Sequence, residues 1–146
     1  RYPAKIEQGQ KINQMVQNID YAPTLLDFAG INPPEDIQGL SLKSLLTKQQ
    51  PIKRDALYYH YYEGIGKEHK VAKHEGVRTA NHKLIHFKDV GVDHFEMFDL
   101  KTDPSEMINI YGNPKFKTTQ NELISKLEEL KVQYNVDQKD ENKNED

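Results

Sequence analysis

Four short runs of strand-forming residues follow one another between residues 56 and 100, and no helix-length segment separates any of them from the next. They are 56–63 (Ala-Leu-Tyr-Tyr-His-Tyr-Tyr-Glu), 71–80, 83–87 and 95–100. A polar loop at 64–70, a turn at Ala80-Asn81-His82 and a loop at 89–93 containing Gly91 join them. A parallel pair needs a crossover of a dozen residues or more. Connections this short therefore predict an antiparallel sheet. One amphipathic helix follows, over roughly 114–134. Leu123, Ile124, Leu127, Leu130 and Tyr134 form its apolar stripe, and Glu122 and Lys126 flank it with charge. The stripe needs a partner, and one face of the sheet supplies it. At about 25 cal/mol per Å² the resulting core is modest.

Before the sheet the chain reads as a helical arm. Residues 1–13 are extended or loop, punctuated by Pro3 and Gly9. Met15, Val16, Ile19, Ala22, Leu25, Leu26 and Ala29 have helical spacing, which predicts a helix over 15–29. Asp20 ahead of Pro23 predicts a break, with Asp20 capping the second part, and Gly30 and Pro33-Pro34 end the helix. Leu40, Leu42, Leu45 and Leu46 suggest a short helix capped by Ser41. Thr102-Asp103-Pro104-Ser105-Glu106 reads as a cap and a proline-started helical turn. The expected fold class is α+β: a small four-stranded antiparallel sheet packed by a long C-terminal helix, with an N-terminal helical arm. The expected divisions are an arm at 1–50, the sheet and helix at 51–136, and a disordered acidic tail at 137–146.

Composition removes several classes of function. The 146 residues carry 20 basic and 23 acidic side chains, and the tail's five acids and two lysines hold the whole net charge of -3. The neutral body has no electrostatic footprint for nucleic acid or anionic lipid. No apolar run approaches the roughly 20 residues of a membrane span. Cysteine is absent, which excludes thiol catalysis, disulfides and cysteine-based zinc sites. None of Ser41, Ser44, Ser105 and Ser125 has a Gly-x-Ser-x-Gly setting, and there is no glycine-rich phosphate loop.

Six histidines stand out: His60, His69, His74, His82, His86 and His94. No pair has helical i, i+4 spacing around a glutamate, so no metal site is expected. His74 and Arg78 lie four apart on one strand and share a face. They could meet an anion, or Arg78 could form a structural ion pair with Glu75, Glu63 or Asp99. In Tyr58-Tyr59-His60-Tyr61-Tyr62 the alternation puts Tyr59 and Tyr61 on one side and Tyr58, His60 and Tyr62 on the other. Such rings serve a core or stack on sugars. The residues alone read as an α+β module contacting an anion or a sugar.

Several strings in order resemble the C-terminal third of the type I sulfatases. Arg1-Tyr2-Pro3 with Ile6 and Gly9 comes first, and then Asp20-Tyr21-Ala22-Pro23-Thr24-Leu25-Leu26-Asp27, Gln38-Gly39-Leu40-Ser41-Leu42 and Arg54-Asp55. Tyr58 to Glu63, His74-Glu75-Gly76-Val77-Arg78-Thr79, and Phe98-Asp99-Leu100-Lys101-Thr102-Asp103-Pro104-Ser105-Glu106 with Asn109 follow. The likeness extends to about Tyr134 and is nearest to bacterial N-acetylglucosamine-6-sulfatase-like enzymes of glycosaminoglycan breakdown. It implies a sulfuric ester hydrolase whose parent uses calcium and a formylglycine made from a Cys/Ser-x-Pro-x-Arg motif. No serine here has proline two residues on. Asp93-His94 and Asp137-Gln138 mimic the family's later metal pair but lie in a loop and the tail, so neither is taken as one. The resemblance implies no catalytic residue, no metal ligand and no cofactor in this stretch. It implies substrate binding by His74, Arg78 and, more weakly, His60. The implied partners are an N-terminal catalytic domain of the same chain and a sulfated saccharide. An arm without that domain exposes apolar surface and can self-associate. The substrate class implies a periplasmic or secreted enzyme. Two other readings stay open: a stand-alone carbohydrate-binding module, and the C-terminal part of a related alkaline-phosphatase-superfamily phosphoesterase.

Overall fold

In the computed structural model, residues 2–65 and 70–136 are described. The chain divides into two compact units, Arg1–Leu57 and Tyr58–Asp146. Residues 51–57, expected with the sheet, group with the first unit. Arg54 binds Asp20, and the Gln14 side-chain amide donates to the Ile52 carbonyl at 3.2 Å.

The sheet is a meander in the order β1 (Ala56–Tyr61), β2 (His74–Thr79), β3 (His82–Asp89) and β4 (Val92–Asp99). β2 pairs antiparallel with β3, and β3 with β4. The loop expected at 89–93 shrinks to the two residues Val90 and Gly91, with Gly91 at φ +72 where a side chain would be strained. β4 therefore begins three residues earlier than its apolar run suggests. Val77, Leu84 and Met97 line up across three strands in this register, and all are fully buried. α3 (Lys117–Gln133) contacts β2 and β3 on that face and buries Leu123, Leu127 and Leu130. Burying three leucines contributes about 1.5–3 kcal/mol each. Asn113 opens the helix, its side-chain oxygen accepting the Lys115 amide at 3.1 Å with Pro114 in the first turn.

The turn expected at Asp103-Pro104 closes once, with the Glu106 amide donating to the Asp103 carbonyl at 3.1 Å, and does not continue as a helix. Glu106 adopts φ +55, which no helix continues, and the Asp103 carboxylate accepts the Ile108 amide at 2.8 Å. The segment then runs along the outer border of β4. The Ile110 amide donates to the Met97 carbonyl at 2.8 Å, and the Asn109 side-chain oxygen accepts the Met97 and Tyr111 amides at 3.0 and 2.9 Å. Asn109 and Ile110 thus take ladder positions that a fifth strand would occupy.

In the first unit the expected helix over 15–29 is shorter: a 3-10 turn at Asn18–Asp20 and then α1 (Tyr21–Phe28). Asp20 does not cap α1. Its carboxylate turns back and accepts the amides of Gln17 at 2.7 Å and Leu40 at 2.9 Å, and the forked guanidinium of Arg54 at 2.5 and 2.7 Å. Both side chains are buried. Thr24 donates to the Asp20 carbonyl and accepts the Leu42 amide at 2.8 Å. The short helix α2 (Lys43–Leu46) forms as expected, and the Ser41 hydroxyl accepts the Lys43 amide at 3.2 Å. Gly39 has no room for a side chain, since a Cβ would lie 2.0 Å from the Ile19 carbonyl oxygen. The tail at 137–146, with Asp137-Gln138, and His69 lie outside the described residues.

Candidate functional site

The register settles which side chains share the sheet face opposite α3. Strand alternation puts Glu75, bound to Lys131 of α3, on the helix side. His74, Gly76 and Arg78 therefore point the other way. Their partners follow: Phe87 and His94 beside His74, Ile85 and Glu96 beside Gly76, Lys83 and Phe98 beside Arg78.

His74 stands at the start of β2 among aromatic rings. Tyr61 stacks on it at 5.3 Å and 21°, and Phe87 at 5.0 Å and 43°. The row continues from Phe87 to His94 at 4.8 Å. The Nδ1 of His74 lies 2.9 Å from the Ala72 carbonyl oxygen. Next along β2, a Cβ on Gly76 would lie 2.4 Å from the Tyr59 Cζ and hydroxyl and 2.6 Å from the Leu84 carbonyl oxygen. The Tyr59 ring thus lies across a glycine, as bare strand glycines allow. Its hydroxyl is buried without a hydrogen-bond partner among the described residues. Burial foremost, then the charges of Glu106 and Glu96, pushes this phenol well above its ordinary range.

Arg78 is exposed, and no hydrogen bond or ion pair engages it among the described residues. The three acids expected to pair with it are engaged elsewhere. Glu75 binds Lys131 at 2.7 Å and the Tyr58 hydroxyl at 3.1 Å, and Glu63 accepts from Tyr61 at 3.0 Å. Asp99 accepts the Lys101 and Thr102 amides at 2.9 and 3.3 Å. Directly across the strands from Arg78 stands Lys83, held by Glu106 at 2.6 Å. Like charges opposite one another cost stability, so the pairing leaves Arg78 a cation open to an anion. Four residues of strand separate the α-carbons of His74 and Arg78 by about 13 Å. The two side chains cannot close on one small anion, but they can bracket a sugar ring, with the Tyr59–Gly76 surface between them.

His60 belongs to the opposite face. Its Nδ1 meets the Tyr58 hydroxyl at 3.0 Å, in a chain that runs through Glu75 to Lys131, and its ring stacks on Tyr62 at 3.8 Å. The structure brings His74 and Arg78 to one surface and His60 to the other. Tyr59 and Lys83 join the first pair, and the sequence signal for Tyr59 was the lone glycine inside a strand.

His86 and Asp93 meet as a pair at 2.9 Å, and no group of three or more His, Cys, Asp or Glu could hold an ion among the described residues. With no cysteine and no Ser-x-Pro-x-Arg the sequence does not fit the family's reactive group, and the described residues do not fit its calcium.

A meander covered by its terminal helix, preceded by a short helical unit, is the C-terminal architecture of alkaline-phosphatase-like sulfatases. Residues 1–133 match the family model described as N-sulphoglucosamine sulphohydrolase, C-terminal, and the chain belongs to that family. An N-acetylglucosamine-6-O-sulfatase of Bacteroides thetaiotaomicron is 46% identical over 97% of this chain, which is 25% of that protein. A solved structure described as bound to its substrate, D-glucosamine-2-N,6-O-disulfate, superposes with a TM-score of 0.90 at 46% identity, over 98% of this chain and 29% of that one. The phosphonate monoester hydrolase of Agrobacterium radiobacter shares the fold at a TM-score of 0.71 and 23% identity, over 86% of this chain and 27% of that one. The chain thus spans about a quarter of the length of that N-acetylglucosamine-6-O-sulfatase.

Proposed function

We propose that this chain is the C-terminal part of a sulfatase acting on sulfated glucosamine, and that the sheet face bearing His74 and Arg78 lines its sugar site. The observation that carries the reading is the 46% identity to an N-acetylglucosamine-6-O-sulfatase across 97% of this chain. The guanidinium of Arg78, unengaged among the described residues, supplies a planar fork suited to a sulfate or carboxylate on the sugar. The reactive group and calcium then belong to an N-terminal catalytic part, with this chain completing the pocket. Glycosaminoglycan sugars place such an enzyme in the periplasm or outside the cell. The phosphoesterase alternative has only a shared fold behind it.

The test is sulfate release from N-acetylglucosamine-6-sulfate by the longer reading frame that contains these residues. We expect turnover by the long form and none by residues 1–146 alone. We expect Arg78→Ala to raise KM on the order of tenfold, the loss of one charge-assisted contact. Phosphonate ester hydrolysis without sulfate release overturns the reading.

A further inference from the structure

We infer that His74 serves the sugar site as a hydrogen-bond acceptor, through Nε2, and so reads a hydroxyl or amide N–H of the sugar and not its sulfate. This rests on the sugar-site reading above and specifies which group the histidine meets. The Nδ1 of His74 lies 2.9 Å from the Ala72 carbonyl oxygen. A carbonyl only accepts, so Nδ1 carries the proton. In a neutral imidazole the other nitrogen then bears a lone pair, and the hydrogen bond at Nδ1 fixes that tautomer. Aromatic rings crowd the imidazole. Tyr61 stacks on it at 5.3 Å, Phe87 packs against it tilted by 43° at 5.0 Å, and Tyr59 stands edge-on at 6.3 Å. That crowding disfavours stacking a sugar on this ring, and Nε2 is its polar atom without a partner among the described residues.

The row also holds the ring against rotation. Flipping it would break the bond to Ala72 among crowded aromatic rings, so the acceptor stays presented without ligand present. A preset acceptor discriminates strongly, because a group that cannot donate leaves a desolvated lone pair behind. A sulfate oxygen offers no proton and is repelled by that lone pair. The division of labour along β2 follows: Arg78 takes an anionic substituent, and His74, about 13 Å away on the strand, takes a donor.

Two measurements test this. Nitrogen-15 correlation spectra of histidine-labelled chain, taken at about pH 8.5 where an ordinary imidazole is neutral, report the tautomer directly. We expect protonated Nδ1 and bare Nε2 at His74, and the reverse pattern overturns the inference. In the active long form, His74→Gln keeps an acceptor while His74→Lys offers only donors. We expect Gln to retain kcat/KM within about tenfold and Lys to lose on the order of 100-fold or more, as Ala does. Rescue by Lys with failure of Gln overturns the acceptor role and leaves the sugar site standing. Wild-type kcat/KM in all three variants overturns the sugar site itself, and this inference with it.

Discussion

Arg54→Ala isolates the strongest single interaction of the first unit. Both partners are buried: the side chain of Arg54 is 4% exposed and that of Asp20 is 0%. In wild type the Asp20 carboxylate receives four hydrogen bonds, two from the guanidinium and two from the amides of Gln17 and Leu40. Removing Arg54 takes away both charged donors and leaves a buried anion on two amides. Breaking a buried pair in this way costs about 3–5 kcal/mol. That is a large part of the roughly 5–15 kcal/mol that holds a domain together. The assay is urea unfolding of the chain, with amide hydrogen exchange at Leu40 as the local probe. We expect Arg54→Lys to fall between, because an ammonium keeps the charge but not the fork. The pH dependence has a defined direction. Burial raises the Asp20 pKa, but the Arg54 hydrogen bonds, the Gln17 and Leu40 amides and the Arg54 charge outweigh it, so the carboxyl sits below its ordinary value. Its contribution is full above the unfolded value of about 3.9 and is lost as pH falls through the folded value. The gap between wild type and Arg54→Ala should therefore narrow in acid. A loss under about 1 kcal/mol at neutral pH, or a gap that widens in acid, refutes the reasoning.

Three further outcomes are expected. Gly76→Ala drives a methyl into the Tyr59 phenol and the Leu84 carbonyl, and backbone cannot give way. It should cost about 1–3 kcal/mol by thermal unfolding, with the Tyr59 ring displaced. Tyr59→Phe removes a buried hydroxyl that has no partner among the described residues and should leave the melting temperature unchanged or raise it, by up to about 1 kcal/mol in stability; a clear drop would reveal a partner for that hydroxyl. Asn109→Ala unpairs the Met97 and Tyr111 amides and should cost about 1–3 kcal/mol, read as faster amide exchange at Met97.

The sheet was legible because its strand runs follow one another with no helix-length segment between them, and α3 because its apolar stripe is regular. The break at Asp20 was legible too, and α1 begins right after it, but the loss of the helix before Asp20 was not. Met15 and Val16 continue the helical spacing, but Asp20 turns its carboxylate back to Gln17 and closes a tighter turn there. The Asp103-Pro104 string carries the local chemistry of a helix start and is overruled by the pairing of Asn109 and Ile110 with β4, a contact no local pattern records. At the site, alternation along β2 puts His74 and Arg78 on one face. That Tyr61 and Phe87 crowd the imidazole depends on register between strands. Whether Arg78 is paired depends on where four other side chains find their own partners, which only the folded arrangement decides.

The border of β4 carries a consequence for how this domain behaves in company. A meander ordinarily offers two raw margins to any neighbouring polypeptide. Here one is occupied at Met97 by the chain's own residues 109 and 110, the Asn109 side-chain oxygen taking the Met97 amide and the Ile110 amide its carbonyl. A foreign strand that pairs with Met97 must first peel that segment away.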